Sequence, residues 1–167
     1  MIASVEPLAA RHDLSSFRCG NDGLDTWLQV HAAKARGQGV RTYVALGADG
    51  ALLGYFALTP HAVERIELPP RLARGTPARI PAVLLAKLAR DLTYRGSGLG
   101  SELLLEALDV IVHAARLVGG RLVIVDAIDE AAARFYESND FTPLPGHGDR
   151  LVLKMSTAAR ILGITWP

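Results

Sequence analysis

One stretch of this chain narrows its possible folds more than any other. Val83-Leu84-Leu85-Ala86-Lys87-Leu88-Ala89, nearly all apolar, leads into the glycine-rich turn Arg95-Gly96-Ser97-Gly98-Leu99-Gly100. Behind the turn, Leu99, Leu103, Leu104, Ala107, Leu108, Ile111, Val112 and Ala115 recur at helical spacing, and Gly119-Gly120 ends the run. Leu122-Val123-Ile124-Val125 reads as a second apolar strand. Asp129 is placed to cap a helix reaching Tyr136, Asn139-Asp140 to turn, and Leu151 to Met155 to form a last strand. Strand, turn, helix, strand, helix is a βαβα unit, so its central strands should run parallel and be buried on both faces.

The N-terminal half adds antiparallel pieces. Asn21-Asp22-Gly23 offers a helix cap, and Leu24, Trp27, Leu28 and His31-Ala32 follow at helical spacing, with Trp27 expected in the core. Thr42 to Leu46 and Leu52 to Leu58 are apolar strands around Ala48-Asp49-Gly50, a hairpin turn. Pro60 to Ile80, with Pro69, Pro70 and Pro77, reads as a long irregular excursion holding one short helix after Pro70. With 167 residues, half of them hydrophobic, residues 1–167 are expected to form one domain rather than a disordered chain.

Several classes drop out. Cys19 is alone, which excludes an internal disulfide and a cysteine-rich metal centre, and the five histidines show no ligand spacing, so no metal is expected. The apolar run Leu103 to Val118 carries Glu106, Asp109, His113 and Arg116, so no membrane span is expected; Met1 to Pro7 lacks a signal-peptide pattern. Ser101 stands in no Gly-x-Ser-x-Gly elbow. An intracellular protein is expected.

The glycine-rich turn is the candidate ligand site. Successive glycines let backbone N–H groups converge, and the following helix N-terminus adds unpaired donors and a partial positive charge. An anion, a pyrophosphate above all, suits that arrangement, with Arg95 adding a charged donor. A phosphate loop of the Gly-x4-Gly-Lys kind would need a lysine that is missing, and Gly-x-Gly-x-x-Gly fails because Ser101 stands at its last glycine. The turn matches Arg/Gln-x-x-Gly-x-Gly/Ala and resembles the acetyl-CoA pyrophosphate loop of the GNAT acetyltransferases. Phe135-Tyr136-Glu137-Ser138-Asn139-Asp140-Phe141 is similar to the Phe-Tyr-Glu-x-x-Gly-Phe segment of the same superfamily, with Asp140 in place of glycine. His12-Asp13-Leu14-Ser15-Ser16-Phe17-Arg18-Cys19-Gly20, Leu24-Asp25-Thr26-Trp27-Leu28, Arg41-Thr42-Tyr43-Val44 and Gly54-Tyr55-Phe56-Ala57-Leu58 narrow the resemblance. They resemble one subgroup, the acetyltransferase toxins of bacterial type II toxin–antitoxin modules. Ser97 departs from that subgroup, which often carries Lys or Arg there.

The resemblance implies a mixed α/β sheet of about six to seven strands flanked by helices, splayed between its two central parallel strands. It implies acetyl-CoA as co-substrate, held by Leu88, Ala89 and Arg90 along the strand and by Arg95, Gly96, Ser97, Gly98, Leu99, Gly100 and Ser101 around the turn. Tyr136 would serve the CoA thiolate as proton or hydrogen-bond donor. The acceptor would be the α-amino group of aminoacyl-tRNA, and translation would stop. A ribbon-helix-helix antitoxin, a homodimer, DNA contact only through the antitoxin and a bacterial cytoplasmic location complete that picture. Two other readings stand beside it: a GNAT enzyme acting on a small-molecule amine or protein N-terminus, and an idle domain held by an antitoxin.

Charge and acid–base chemistry agree with an amine acceptor. The net charge of +1 says little, but residues 60–95 hold seven Lys/Arg against three Asp/Glu, and residues 96–140 reverse the balance with three against eight. Arg79 and Arg90, with Lys34 and Arg36, are the candidate tRNA contacts. A free α-amino group has a pKa of about 7.7–8.0, lowered further when its carboxyl is esterified, so no strong base is required. Glu64, His61, Asp91 and Asp126 are candidate bases, none with a signature.

Overall fold

The computed structural model describes residues 1–167. Its strands are β1 (Ser4–Pro7), β2 (Arg41–Leu46), β3 (Leu52–Glu64), β4 (Arg79–Arg90), β5 (Leu122–Asp126), β6 (Thr142–Pro143) and β7 (Arg150–Lys154). They form one seven-stranded sheet in the order β1-β2-β3-β4-β5-β7-β6. The parallel pair is β4 with β5, from Ala82 opposite Leu122 to Leu85 opposite Val125. The pairs β1–β2, β2–β3, β5–β7 and β6–β7 are antiparallel. The mixed α/β sheet with one parallel crossover is therefore present, at the upper end of the expected strand number. The helices are α1 (Asp22–Thr26), α2 (Ala32–Ala35), α3 (Pro70–Ala73), α4 (Leu99–Val118), α5 (Glu130–Ser138) and α6 (Met155–Leu162).

The chain divides into two compact units. The first comprises Met1–Thr59 with Ala86–Ala107, and the second Pro60–Leu85 with Leu108–Pro167.

In the first unit, Asn21 accepts a hydrogen bond from the Leu24 N–H at 2.9 Å and starts α1 as its side chain predicts. The helical run continues through a π turn, Trp27–His31, into α2 and a 3₁₀ turn, Arg36–Gln38, and stops at Gly39 with φ 90°. Phe17, Leu28, Ala32, Val44, Tyr55 and Ala89 form the buried core beneath it. Trp27 is half-buried, packed against the core rather than within it as its spacing suggested, with its ring stacked on Tyr55. β2 and β3 form the expected hairpin, with Gly50 at φ 81° in the turn.

In the second unit, Val63, Leu68, Leu72, Ile80, Ala82, Leu122, Ile124, Leu144 and Val152 make the core. The segment Pro60 to Ile80 is more regular than expected. β3 continues through Pro60 to Glu64, a 3₁₀ turn covers Arg65–Glu67, and β4 already begins at Arg79. Pro60 is tolerated because it is exposed and lies past Leu58, where the register with β2 ends, so its missing N–H costs that pairing nothing. The short helix after Pro70 is α3, with proline in the first turn, where a missing donor costs least.

Two further expectations are corrected. Val83 to Ala89 is not buried on both faces: Leu85 and Ala89 are buried, and the residues between and before them are half-buried. The buried positions Ile80, Ala82, Leu85 and Ala89 abandon the two-residue alternation of a regular strand, which a bulge would explain. The last strand ends at Lys154, and Met155 opens α6. β6, two residues long, was too short to leave a pattern. The α4 stripe is as expected: every residue from Leu99 to Ala115 named on it is buried.

Candidate functional site

The first unit carries the glycine-rich turn. β4 ends in half-buried Leu88, buried Ala89 and half-buried Arg90. β3 can lie close under this segment because Gly54 has no side chain: a Cβ there would sit 2.8 Å from the Ala89 carbonyl oxygen. Past β4, the Asp91 N–H donates to the Leu53 carbonyl at 2.8 Å and the Leu92 N–H to that of Arg18 at 2.7 Å. A 3₁₀ turn, Leu92–Tyr94, then delivers the chain to Arg95.

Gly96 and Gly98 adopt φ 76° and 85°, the left-handed region that penalises a Cβ. A Cβ on either would meet nothing within 4 Å, so backbone conformation and not crowding demands glycine there. The Tyr94 carbonyl accepts from the Ser97 N–H at 3.2 Å and from the Ser97 hydroxyl at 2.5 Å. The Leu99 N–H reaches the Ser97 hydroxyl oxygen at 3.4 Å, and the N–H groups of Gly100 and Ser101, in the first turn of α4, have no intrahelical acceptor. With Arg95 exposed beside them, Gly96 to Ser101 form a rigid bend that presents amide donors and a helix N-terminus to solvent. Such a bend favours an anion with several oxygens.

The second unit carries Tyr136. Asp129 caps α5 by accepting from the Ala132 N–H at 2.8 Å. At the other end, the Phe141 N–H donates to the Tyr136 carbonyl and the Asp140 N–H to that of Glu137, the paired bonds of a Schellman stop. Asp140 takes the left-handed position of that stop at φ 73°, the only residue other than glycine to do so. The apolar contact that accompanies such stops is Phe141 on Tyr136, ring centroids 5.4 Å apart, and Phe135 meets the same ring at 5.3 Å. The tyrosine ring is thus locked edge-on between two phenylalanines.

Its hydroxyl is the unusual group. Two tyrosines are buried, Tyr55 and Tyr136. The Tyr55 hydroxyl donates to the Leu24 carbonyl at 2.7 Å, whereas that of Tyr136 makes no hydrogen bond within the protein. Burial pushes the Tyr136 phenol well above its ordinary range, so it is protonated at neutral pH and free to donate.

The candidate bases are mostly engaged. Asp91 accepts from the Thr93 N–H at 2.9 Å and the Arg18 N–H at 3.3 Å, a capping role. Asp126 holds Arg150 through two hydrogen bonds of 2.8 and 2.9 Å, which lowers its carboxyl below the usual aspartate range. The third guanidinium contact runs from Arg150 Nη1 to His61 Nε2 at 3.0 Å. Guanidinium only donates, so His61 Nε2 accepts and the ring proton lies on Nδ1. Partial burial, and then Arg150, hold His61 below its ordinary pKa. Glu64 is exposed at the end of β3.

Lys34 and Arg36 are exposed near the end of the helical run in the first unit, Arg36 lending its carbonyl to Arg41 at 3.0 Å. Arg79 and Arg90 stand at opposite ends of β4. Sequence reasoning missed Gly54, whose requirement comes from a strand distant in sequence, and the clamp role of Phe141, although the residue lies in the quoted motif. No three acidic, histidine or cysteine side chains converge as metal ligands would.

No family model matches the chain. It is 34% identical to a tRNA-acetylating toxin of Mycobacterium tuberculosis over 90% of this chain and 91% of that protein. It is 32% identical to a probable toxin TacT of Sinorhizobium fredii over 95% and 94%. Among solved structures, a Tyr-to-Phe variant of KacT superposes with TM-score 0.87 at 28% identity, covering 95% of this chain and 98% of that one. AtaT with acetyl-methionyl-tRNAfMet gives 0.85 at 30%, covering 95% and 98%. A Tyr-to-Phe variant of AtaT with the C-terminus of its antitoxin AtaR and acetyl-CoA gives 0.81 at 28%, covering 95% and 97%. Identity above 30% along nearly the whole of two curated relatives, on the same fold, settles the family: the chain belongs to the GNAT-type tRNA-acetylating toxins of toxin–antitoxin modules.

Proposed function

We propose that this chain transfers acetyl from acetyl-CoA to the α-amino group of the amino acid on charged tRNA, and so blocks translation until an antitoxin neutralises it. The neutral amine attacks the thioester carbonyl carbon, the carbon–sulfur bond breaks, and the amine loses its extra proton to water. The departing CoA thiolate takes its proton from Tyr136, and the phenol recovers one from the water that received the amine's proton. The observation that carries this reading is Tyr136: its ring is buried and locked between two phenylalanines, and its hydroxyl is protonated, without a partner in the protein and reachable from solvent. The amides of Gly96 to Ser101, with Arg95, hold the CoA diphosphate, and the backbone of Leu88, Ala89 and Arg90 holds the pantetheine and thioester carbonyl where the central strands splay. Engagement of Asp91, Asp126 and His61 in other contacts supports a reaction that needs no strong protein base.

Residues 1–167 act as one acetyltransferase domain in this proposal. Lys34, Arg36, Arg79 and Arg90 meet tRNA phosphates. Family resemblance supports a homodimer, a ribbon-helix-helix antitoxin, DNA contact only through that antitoxin, and work in the bacterial cytoplasm. The test is to incubate the protein with acetyl-CoA and total charged tRNA, then identify the released amino acids by mass. N-acetylated amino acids are expected, and Tyr136→Phe should lower the transfer rate by roughly 10²-fold or more, the usual share of a general acid. Unmodified amino acids from every tRNA, or a Tyr136→Phe protein as fast as wild type, would refute the assignment.

A further inference from the structure

Lys87 stands on β4 one residue before Leu88, and its ammonium lies 5.5 Å from the centroid of the Trp27 ring. That ring is itself fixed. It stacks on Tyr55 with centroids 6.0 Å apart and planes 10° apart, Tyr55 is tied to the Leu24 carbonyl at 2.7 Å, and Phe17 meets Tyr55 edge-on at 5.6 Å. Trp27 opens the π turn of the helical run, a feature that often marks functional positions. Lys87 and Trp27 are both half-buried.

Lys87 enters no ion pair and no hydrogen bond. An aromatic face orients a cation without neutralising it. The result is an ammonium held over an aromatic stack and lacking an anion. In the reaction proposed above, phosphate comes from two sources, CoA and tRNA. The bend from Gly96 to Ser101 accounts for the cofactor's diphosphate, while Lys87 adjoins the segment that faces the reacting thioester end. We propose that Lys87, held on Trp27, contacts the phosphodiester nearest the aminoacylated 3′ end of the acceptor and sets that end in place for transfer. This inference rests on the tRNA-acetylating reading and assigns a subsite within it.

The experiment compares wild type, Lys87→Gln, Lys87→Arg and Trp27→Leu on two acceptors, aminoacyl-tRNA and a 3′-aminoacyl-adenosine that has no phosphate. Lys87→Gln should raise KM for aminoacyl-tRNA on the order of 10-fold, a charged hydrogen bond's usual contribution, and leave kcat and the acetyl-CoA KM unchanged. Its effect on the phosphate-free acceptor should vanish. Lys87→Arg should restore most of the loss, and Trp27→Leu should reproduce part of it. Filter binding of uncharged tRNA should show a log–log salt slope shallower by about 1 in Lys87→Gln, one phosphate contact fewer.

Equal losses on both acceptors would overturn the proposal, since Lys87 would then support the fold or the chemistry. A raised acetyl-CoA KM would move the phosphate to the cofactor and overturn it too, as would no change in any arm. Should Lys87→Gln melt well below wild type, Lys87→Arg and the salt slope decide. A wild type that fails to acetylate aminoacyl-tRNA refutes the proposed function itself; a wild type that succeeds alongside an unaffected Lys87→Gln refutes only the subsite.

Discussion

Gly54→Ala probes the tightest approach beside the proposed cofactor strand. The new methyl carbon would lie 2.8 Å from the Ala89 carbonyl oxygen, 2.9 Å from Leu103 Cδ2 and 3.3 Å from the Arg90 Cα. Ordinary contact starts near 3.4 Å, so the Ala89 backbone must retreat by about 0.6 Å. The leucine tip can swing aside, but the β4 backbone has little freedom, because the Asp91 N–H is fastened to the Leu53 carbonyl next to Gly54. Overpacking of this kind costs about 1–3 kcal/mol, and the smaller unfolded-state entropy of alanine returns about 0.4–1 kcal/mol. A net loss of about 1–2 kcal/mol should lower Tm by roughly 3–8 °C for a domain of this size. Catalysis should fall as well: displacing Leu88 to Arg90 by over half an ångström predicts a roughly tenfold drop in kcat/KM for acetyl-CoA. Thermal unfolding and acetyl transfer at varied acetyl-CoA read the two effects separately. Gly37→Ala is the matched control, since a Cβ there meets nothing within 4 Å and φ is unexceptional. A Gly54→Ala protein with wild-type Tm would refute the close packing. One that melts early yet keeps its acetyl-CoA KM and kcat would leave the packing intact and refute the placement of the cofactor along β4.

Other substitutions test the supports of the site. Asp140→Gly should stabilise the protein by about 0.5–1 kcal/mol and Asp140→Val destabilise it by about 1–2 kcal/mol, because only the first relieves the left-handed backbone; urea unfolding measures both. The carboxyl of Asp126 titrates below its ordinary value because Arg150 hydrogen-bonds its charged form. Its contribution is therefore present above the unfolded pKa of about 3.9 and lost as pH falls through the lower folded value, and Arg150→Gln should flatten the melting profile there. His61, lowered by burial first and Arg150 second, stays neutral in the fold while the unfolded chain takes a proton below about pH 6.5, so stability should already decline there in wild type and less in His61→Gln. Burial raises the Cys19 thiol to about 11, with Asp25 adding to the shift, so the native protein should react with a thiol reagent orders of magnitude more slowly than after denaturation.

What the sequence made legible was local. The α4 stripe follows from a 3.6-residue period and needs no knowledge of what covers it. Asn21 and Asp129 cap their helices with side-chain bonds spanning three residues. Gly96 and Gly98 stand where the turn requires left-handed backbone, and the residue types alone announce it. The segment Phe135 to Phe141 was legible as a pattern before its geometry was known. The geometry explains the pattern: a helix stop needs a left-handed residue at 140 and an apolar residue at 141 to cover Tyr136.

The rest depended on partners remote along the chain. Nothing near Gly54 in sequence says that the Ala89 carbonyl will lie beneath it, and Lys87 counts as one more positive charge until Trp27 appears under its ammonium. Pro60 misled for the same reason: a proline breaks a strand only where a neighbour needs its N–H, and the pairing with β2 has already ended at Leu58. The two buried tyrosines make the sharpest case. Composition cannot separate them, and both lie in segments that carry the family resemblance. A carbonyl at Leu24 takes up one hydroxyl, and the other is left protonated with no acceptor in the protein. The Tyr136 oxygen is not sealed from solvent, as the unpartnered Thr42 Oγ1 is, and packing alone would be served as well by phenylalanine at 136. The hydroxyl adds nothing to the core contacts of that ring, and on the role proposed for it Tyr136→Phe should melt no lower than wild type while losing transfer.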